Sequence, residues 1–194
     1  KKLLNFIKKN TIWIDCSSID YQATLKIYNT FKKQNIYFLD APVSGGVTGA
    51  ASGNLSIMVG GDKNIFYKSK KILECIGQNI YYMGSSGSGQ IVKACNNMML
   101  GINMLGISEA FTMAKKFGIA EKDFFKICSV STSSSWAMLN HLPVKGIVKN
   151  SAANKNFKGG YAVKLMNKDL QIAQAMAKKI NLYTPLGKNA AKIY

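Results

Sequence analysis

The sequence predicts an α/β domain followed by an all-α domain, with one long helix joining them. Up to Gly84, short apolar runs alternate with amphipathic stretches, which is the pattern of strands and helices that follow each other in turn. After Gly84 the periodicity is helical throughout, and the most apolar stretch, residues 89–117, predicts the long helix. The predicted domains are residues 1–86 and 87–194.

The elements of the first domain follow from local patterns. Residues 11–16 form a short, almost wholly apolar run, which is typical of a strand covered on both faces. Residues 17–20 place hydroxyls and a carboxylate where a helix begins, and that helix is predicted to reach about Gln34. The other elements predicted here are strands 36–41, 54–59 and 80–83, and a helix over 63–76 that buries Ile65, Phe66, Ile72, Leu73 and Ile76.

The second domain is predicted to contain helices only. The long helix is apolar nearly all the way round, so we expect it to be buried on every side. Further helices are predicted at 121–129, at 163–179 and from Pro185, where proline suits a first turn. Residues 131–136 and 151–160 are polar and predict connecting segments.

The net charge of +17 does not indicate a nucleic-acid partner. All 26 basic residues are lysine and they are scattered along the chain, whereas arginine is the preferred residue for bidentate phosphate and guanine contacts. We therefore expect no nucleic-acid partner. No run of apolar residues is long enough to span a membrane, and residues 1–10 lack the apolar region of a secretory signal.

The four cysteines and the single histidine give no indication of a metal site. Cys16 and Cys95 lie in apolar runs and are predicted to be buried, and no pair of cysteines has metal-binding spacing. With His141 as the only histidine, we expect no zinc site. Its neighbours indicate a loop between helices.

Lys93 and Asn97 are the most informative pair in the sequence. They lie four residues apart on the predicted long helix, so their side chains share one face. A lysine buried on such a helix has a lowered pKa, and a shift from about 10.4 to about 7–8 makes it a usable general acid and base. The alternative is a lysine that extends to solvent along the helix surface.

A second candidate site follows the predicted strand 36–41. Residues 40–46 read Asp-Ala-Pro-Val-Ser-Gly-Gly, and ligands bind at the carboxyl ends of strands in open α/β sheets. Ser44 supplies a hydroxyl, and Gly45 and Gly46 let backbone N–H groups approach an anion. The alternative is an ordinary turn.

Four segments occur in order along the chain: DAPVSGG at 40–46, GAASGNLSIMVGG at 49–61, GSGQIVKACNN at 87–97 and LMNKDLQIAQ at 165–174. Together they resemble the 3-hydroxyisobutyrate dehydrogenase family, which belongs to the β-hydroxyacid dehydrogenases and is related to 6-phosphogluconate dehydrogenase. The resemblance implies a Rossmann-type sheet domain, a helical domain built on a long interdomain helix, and a dimer or tetramer.

The resemblance also implies roles for residues that bind the substrate. Lys93 matches the catalytic lysine, which takes the proton of the substrate hydroxyl as hydride leaves. Ser44 and Gly45 match positions that hold the substrate carboxylate. Asn97 matches an amide that orients the substrate, and Tyr161 matches an aromatic residue of the pocket.

Three further residues are implied to bind the cofactor, which is NAD or NADP. Ser18 matches a threonine that contacts the cofactor near the nicotinamide. Lys168 matches a lysine that contacts it from the helical domain, and Asp169 lies beside Lys168 in the same segment.

One feature of the family is absent from this sequence. The G-x-G-x-x-G fingerprint of the first βα turn does not occur, since the glycines between 84 and 89 have a different spacing. The chain also begins at Lys1 rather than Met, and it stops before the last helix usual in the family. We therefore expect a sequence truncated at both ends, which alone binds dinucleotide poorly.

The expected function is the NAD(P)-dependent oxidation of 3-hydroxyisobutyrate to methylmalonate semialdehyde, a step of valine breakdown. The alternatives within the enzyme class are glyoxylate/succinic and tartronate semialdehyde reductases. A different class is a truncated, non-catalytic dehydrogenase-like module. The resemblance implies a mitochondrial matrix protein in a eukaryote and a cytoplasmic one in a bacterium.

Overall fold

The predicted order of strands and helices is present in the computed structural model, which describes residues 3–194. The strands are β1 Ile12–Asp15, β2 Tyr37–Asp40, β3 Val43–Ser44, β4 Leu55–Gly61 and β5 Gly77–Gly84. The α-helices are α1 Tyr21–Lys32, α2 Gly46–Ala51, α3 Lys63–Leu73, α4 Ser88–Lys116, α5 Glu121–Val130, α6 Trp136–His141, α7 Val163–Lys179 and α8 Pro185–Ile193. Single 3₁₀ turns occur at Leu3–Phe6 and Ala152–Lys155. An α/β part followed by an all-α part is confirmed.

The sheet is mixed. β1 pairs with β2 in parallel, and β4 pairs with β5 in parallel. β4 also runs antiparallel to β2 and to β3. The contact between β2 and β4 is limited to two residue pairs at their carboxyl ends, Leu39 with Gly61 and Asp40 with Gly60. The ends of these two strands therefore meet next to each other.

Helix α1 begins where the sequence predicts. The Asp20 side chain accepts a hydrogen bond from the N–H of Ala23 at 3.0 Å, which satisfies one of the free donors of the first turn. The helix buries Phe31, whose ring packs edge-on against Trp13 and Phe38.

Helix α3 covers the sheet with Ile65, Phe66 and Leu73, which join a core that includes Leu39 and Ile57. Two residues predicted on its buried face are exposed instead, Ile72 by 64% and Ile76 by 40%. Ile72 is rotated about 100° from Leu73 on the helix, and Ile76 lies beyond the helix end at Leu73.

The sequence patterns did not predict three short elements. β3 is only two residues long, and α2 contains Gly46, Thr48 and Gly49, which have low helix propensity. α6 lies in a segment predicted to connect helices, where Ser135 caps it by accepting from the N–H of Met138. His141 ends α6, so its prediction as a loop residue is wrong.

The prediction that Cys16 and Cys95 are buried is also wrong, because both are exposed. Cys16 follows the last residue of β1 and lies in the loop that comes after it. Cys95 is one residue from the buried Ala94, but one helical position changes the direction of a side chain by about 100°. All four cysteines are free thiols.

Two compact units divide the chain, Lys1–Asn96 and Asn97–Tyr194, and the division falls inside α4. The predicted boundary between 86 and 87 stays a prediction. In the second unit, one core cluster contains Phe111, Met138 and Leu142, and another contains Met166, Leu170 and Ala190.

Helix α4 is not buried on every side, contrary to the prediction. Met98 and Leu105 pack against the cluster of α7 and α8, but Met99 and Met113 are exposed by 58% and 61%. The helices that pack against α4 therefore cover only part of its circumference. In the part of the chain that the structure describes, no helix has the length and apolarity needed to cross a membrane.

Candidate active site

The segment 40–46 links β2 to β3 and α2. Ser44 ends β3, where it pairs with Ser56 of β4. Gly45 has a φ of +133° and Gly46 a φ of +62°, which are conformations that L side chains rarely adopt. The two glycines predicted to approach an anion are therefore required by the backbone itself, independently of any ligand.

Asp40 lies fully buried at the start of this segment and binds the first turn of α4. Its carboxylate accepts from the N–H of Gly87 at 2.7 Å and from the N–H of Gln90 at 3.2 Å, with the Ser86 hydroxyl at 3.4 Å. Burial raises the pKa of the Asp40 carboxyl, while the N–H groups of Gly87 and Gln90 act in the opposite direction. A carboxylate at a helix N-terminus also interacts favourably with the helix dipole.

Ser18 lies in the loop that follows β1, next to the exposed Ser17. This loop is at the carboxyl end of a strand that pairs in parallel with β2, where open α/β sheets bind their cofactors. The hydroxyls of Ser17 and Ser18 are of a type that can hydrogen-bond the amide or the ribose hydroxyls of a nicotinamide nucleotide. The donor set of this loop therefore fits the cofactor that the sequence implies.

Lys93 and Asn97 both lie on α4, four residues apart, as predicted. Lys93 is partly exposed, whereas Asn97 is 2% exposed. The Asn97 amide donates to Asp169 Oδ2 at 2.6 Å and to the Tyr161 hydroxyl at 3.3 Å. Asn97, Tyr161 and Asp169, which are predicted to bind substrate or cofactor, are thus brought together within the second unit.

Asp169 is the common acceptor of this group. It is 5% exposed, it accepts a short hydrogen bond from the Tyr161 hydroxyl, and its Oδ1 lies 3.1 Å from Nζ of Lys168. Burial and the contact with Asp169 raise the pKa of Tyr161 well above its ordinary value, so the phenol stays protonated at neutral pH. Lys168 itself is 46% exposed.

This arrangement fixes the orientation of the Asn97 amide. Since a carboxylate only accepts hydrogen bonds, the NH₂ group of Asn97 must face Asp169. Its hydrogen bonds to Asp169 and Tyr161 lie within the second unit.

Neither the binding of α4 by Asp40 nor any role of Gln90 was predicted from the sequence. A carboxylate at the end of an apolar strand and a glutamine that begins an apolar helix are the only signals for them in the sequence. Within residues 3–194 there is no group of three or more His, Cys, Asp or Glu side chains that could hold a metal ion.

Two family models match the chain. Residues 87–194 match the model described as NAD-binding of NADP-dependent 3-hydroxyisobutyrate dehydrogenase. Residues 1–84 match the NAD binding domain of 6-phosphogluconate dehydrogenase.

Known proteins match over nearly the whole chain. It is 39% identical over 192 residues to mitochondrial 3-hydroxyisobutyrate dehydrogenase of Rattus norvegicus, covering 99% of this chain and 57% of the relative. It is 36% identical to NAD-dependent L-serine dehydrogenase of Pseudomonas aeruginosa, covering 99% and 64%. The solved structure of Mycobacterium tuberculosis 3-hydroxyisobutyrate dehydrogenase with L-serine superposes with a TM-score of 0.93 at 38% identity, covering 98% of this chain and 66% of that one.

Both matched models describe NAD-binding domains of dehydrogenases, which defines the class of protein. Within that class, the chain belongs to the 3-hydroxyisobutyrate dehydrogenase family. It spans less than two thirds of the length of these relatives.

Proposed function

We propose that the complete protein oxidises 3-hydroxyisobutyrate to methylmalonate semialdehyde, as a step of valine breakdown. The observation that carries this proposal is the pairing of Lys93 and Asn97 on α4, within the segment that matches the 3-hydroxyisobutyrate dehydrogenase model. Bound NAD or NADP supplies the hydride acceptor. Ser18 and Lys168 are proposed to contact that cofactor, with Asp169 beside Lys168.

Each side chain has a distinct part in the reaction. Ser44 and the N–H groups of Gly45 and Gly46 hold the substrate carboxylate. Asn97, which donates to Asp169 and to the Tyr161 hydroxyl, is proposed to orient the substrate so that its hydroxyl donates to the amine of Lys93. The neutral amine of Lys93 takes the hydroxyl proton as the carbinol carbon loses hydride and becomes the aldehyde.

A second candidate substrate is L-serine. A relative at 36% identity is an L-serine dehydrogenase, and the solved structure that superposes at a TM-score of 0.93 is of the Mycobacterium tuberculosis enzyme with L-serine. Serine has the same carboxylate and primary hydroxyl as 3-hydroxyisobutyrate, with an ammonium group in place of the methyl. The same side chains would hold both molecules.

The test is a comparison of kcat/KM for 3-hydroxyisobutyrate and L-serine with NAD and with NADP, using the complete protein. The proposal requires 3-hydroxyisobutyrate to be the better substrate. A higher kcat/KM for L-serine would establish the second candidate. No oxidation of either acid, in a protein that is folded, would contradict the proposal and favour a reductase or a non-catalytic module.

The remaining expectations are part of the same proposal. The complete protein forms a dimer or tetramer, which light scattering would measure. It lies in the mitochondrial matrix if the source is a eukaryote and in the cytoplasm if it is a bacterium, which cell fractionation would test. Its sheet domain ends at residue 86 and its helical domain begins at residue 87.

A further inference from the structure

Gln90 is a buried amide that holds the loop after β1. It is 2% exposed, and a buried polar side chain of this kind is normally hydrogen-bonded at both ends. Its Oε1 accepts from the N–H of Ile19 at 3.2 Å, and its Nε2 donates to the carbonyl of Ser17 at 2.8 Å. The two bonds lie on either side of Ser18.

Side chains also hold the two ends of this loop. The N–H of Ser17 binds the side chain of Asp15 at 2.9 Å, at the strand end of the loop. Asp20 caps α1 at the other end. The contacts from Gln90 fall between these two ends, and they come from an element 71 to 73 residues away in the sequence.

Gln90 is itself held from the opposite side. Its N–H donates to the fully buried Asp40, whose carboxylate also binds the N–H of Gly87. A Cβ at the neighbouring Gly89 would lie 2.2 Å from the carbonyl oxygen of Met58, so this turn is packed tightly on the sheet. The main chain at Gln90 is therefore held in place, and this limits where its side-chain amide can lie.

We propose that Gln90 is a positioning residue, whose amide holds the main chain around Ser18 in the conformation that contacts the nicotinamide cofactor. This inference rests on the proposed function, because it takes Ser18 as a cofactor contact. Gln90 does not touch substrate or cofactor in this proposal. It acts through the loop that it fixes.

The test compares three variants of the complete protein with the wild type. Gln90→Met keeps the volume of the side chain and removes both hydrogen bonds. Gln90→Glu keeps the acceptor for Ile19 but has no amide to donate to Ser17. Gln171→Met is the matched control, since Gln171 is an exposed amide that bridges Asn167 and Ala191 on the second unit.

The first readout is the Kd for NADH, measured by its fluorescence. Gln90→Met should raise this Kd about 10-fold, because two hydrogen bonds that order the loop are lost. The KM for the hydroxy acid should stay within about threefold, as should both constants in Gln171→Met. Without cofactor, hydrogen exchange of the Ile19 amide should be faster in Gln90→Met than in the wild type.

Several outcomes would overturn the inference. An unchanged Kd for NADH in Gln90→Met, with NADH binding to the wild type, would overturn it and leave the proposed function intact. Equal changes in the NADH Kd and in the KM for the acid would assign Gln90 a general structural role. Loss of folding in both Gln90 variants, measured by thermal unfolding, would do the same. A wild type that binds no NADH would overturn the proposed function together with this inference.

Discussion

Gly60 lies so close to Asp40 that a Cβ at position 60 would be 2.7 Å from both carboxylate oxygens. Gly89 is equally close, since a Cβ there would be 2.9 Å from Asp40 Oδ2 and 2.2 Å from the carbonyl oxygen of Met58. Real Cβ atoms do not occupy such positions. The buried carboxylate therefore requires glycine at both positions.

Gly89→Ala should destabilise the protein, whereas Gly106→Ala on the same helix should stabilise it. A Cβ at Gly89 meets backbone atoms that cannot move aside, and overpacking of this kind costs about 1–3 kcal/mol. Position 106 has nothing within 4 Å of an added Cβ, so alanine there gains about 0.5–1 kcal/mol of helix propensity. Urea unfolding measures both. Equal effects of the two changes would contradict the tight packing at Gly89.

The contribution of Asp40 to the free energy of unfolding should increase on acidification. Burial raises the pKa of its carboxyl in the folded protein above the ordinary value of 3.8, so the folded state binds the proton more tightly than the unfolded chain. Stability from this group is then complete below pH 3.8 and is lost as the pH rises through the raised pKa. Asn at position 40 cannot titrate.

The measurement is the free energy of unfolding of the wild type minus that of Asp40→Asn, followed against pH. We expect this difference to increase as the pH falls from about 7 to about 4, by about 1.4 kcal/mol for each tenfold difference in proton affinity between the two states. A difference that decreases with acidification would show that the hydrogen bonds from Gly87 and Gln90 outweigh burial.

Lys93→Ala in the complete protein should reduce kcat by about 10²–10⁴-fold, because the hydroxyl proton would have no acceptor. The Kd for NADH should change by less than about threefold, since the lysine is proposed to act on the substrate. Lys116→Ala, at the exposed end of the same helix, serves as the control and should leave kcat unchanged. A Lys93→Ala enzyme with more than half of the wild-type kcat would exclude the general-base role.

Asp169→Ala should destabilise the second unit. The buried Asn97 amide would lose its acceptor, and an unsatisfied buried donor costs about 1–3 kcal/mol. Asp123→Ala removes an exposed carboxylate that pairs with Lys126, and should cost less than about 1 kcal/mol. Chemical unfolding of the two variants compares these values. Similar losses would mean that Asn97 finds another partner when Asp169 is removed.

The regular elements could be predicted from the sequence because their signals are local. α7 has the predicted bounds, Val163–Lys179, and α1 begins at the Asp20 cap. The prediction that Lys93 and Asn97 lie on one face of α4 required only the helical period. Elements of two or six residues such as β3 and α2 are too short to show a period, so they were missed.

The contacts that order the site could not be predicted in the same way. Asn97 and Asp169 are 72 residues apart, and Gln90 reaches Ser17 across 73 residues. Hydropathy indicates whether a side chain is buried, but it does not tell which distant residue forms a hydrogen bond with a buried polar group. The exposure of Met99 could not be predicted either, because hydropathy does not tell which face of an apolar helix the rest of the chain covers.

The binding of Asp40 to the first turn of α4 has a consequence for the order of folding. The amides of Gly87 and Gln90 are bound by a carboxylate 47 and 50 residues earlier in the chain. These hydrogen bonds at the start of the helix therefore cannot form until the carboxyl end of β2 lies next to it. The exchange of these two amides with solvent deuterium should follow the opening of the sheet, not the fraying of a helix end.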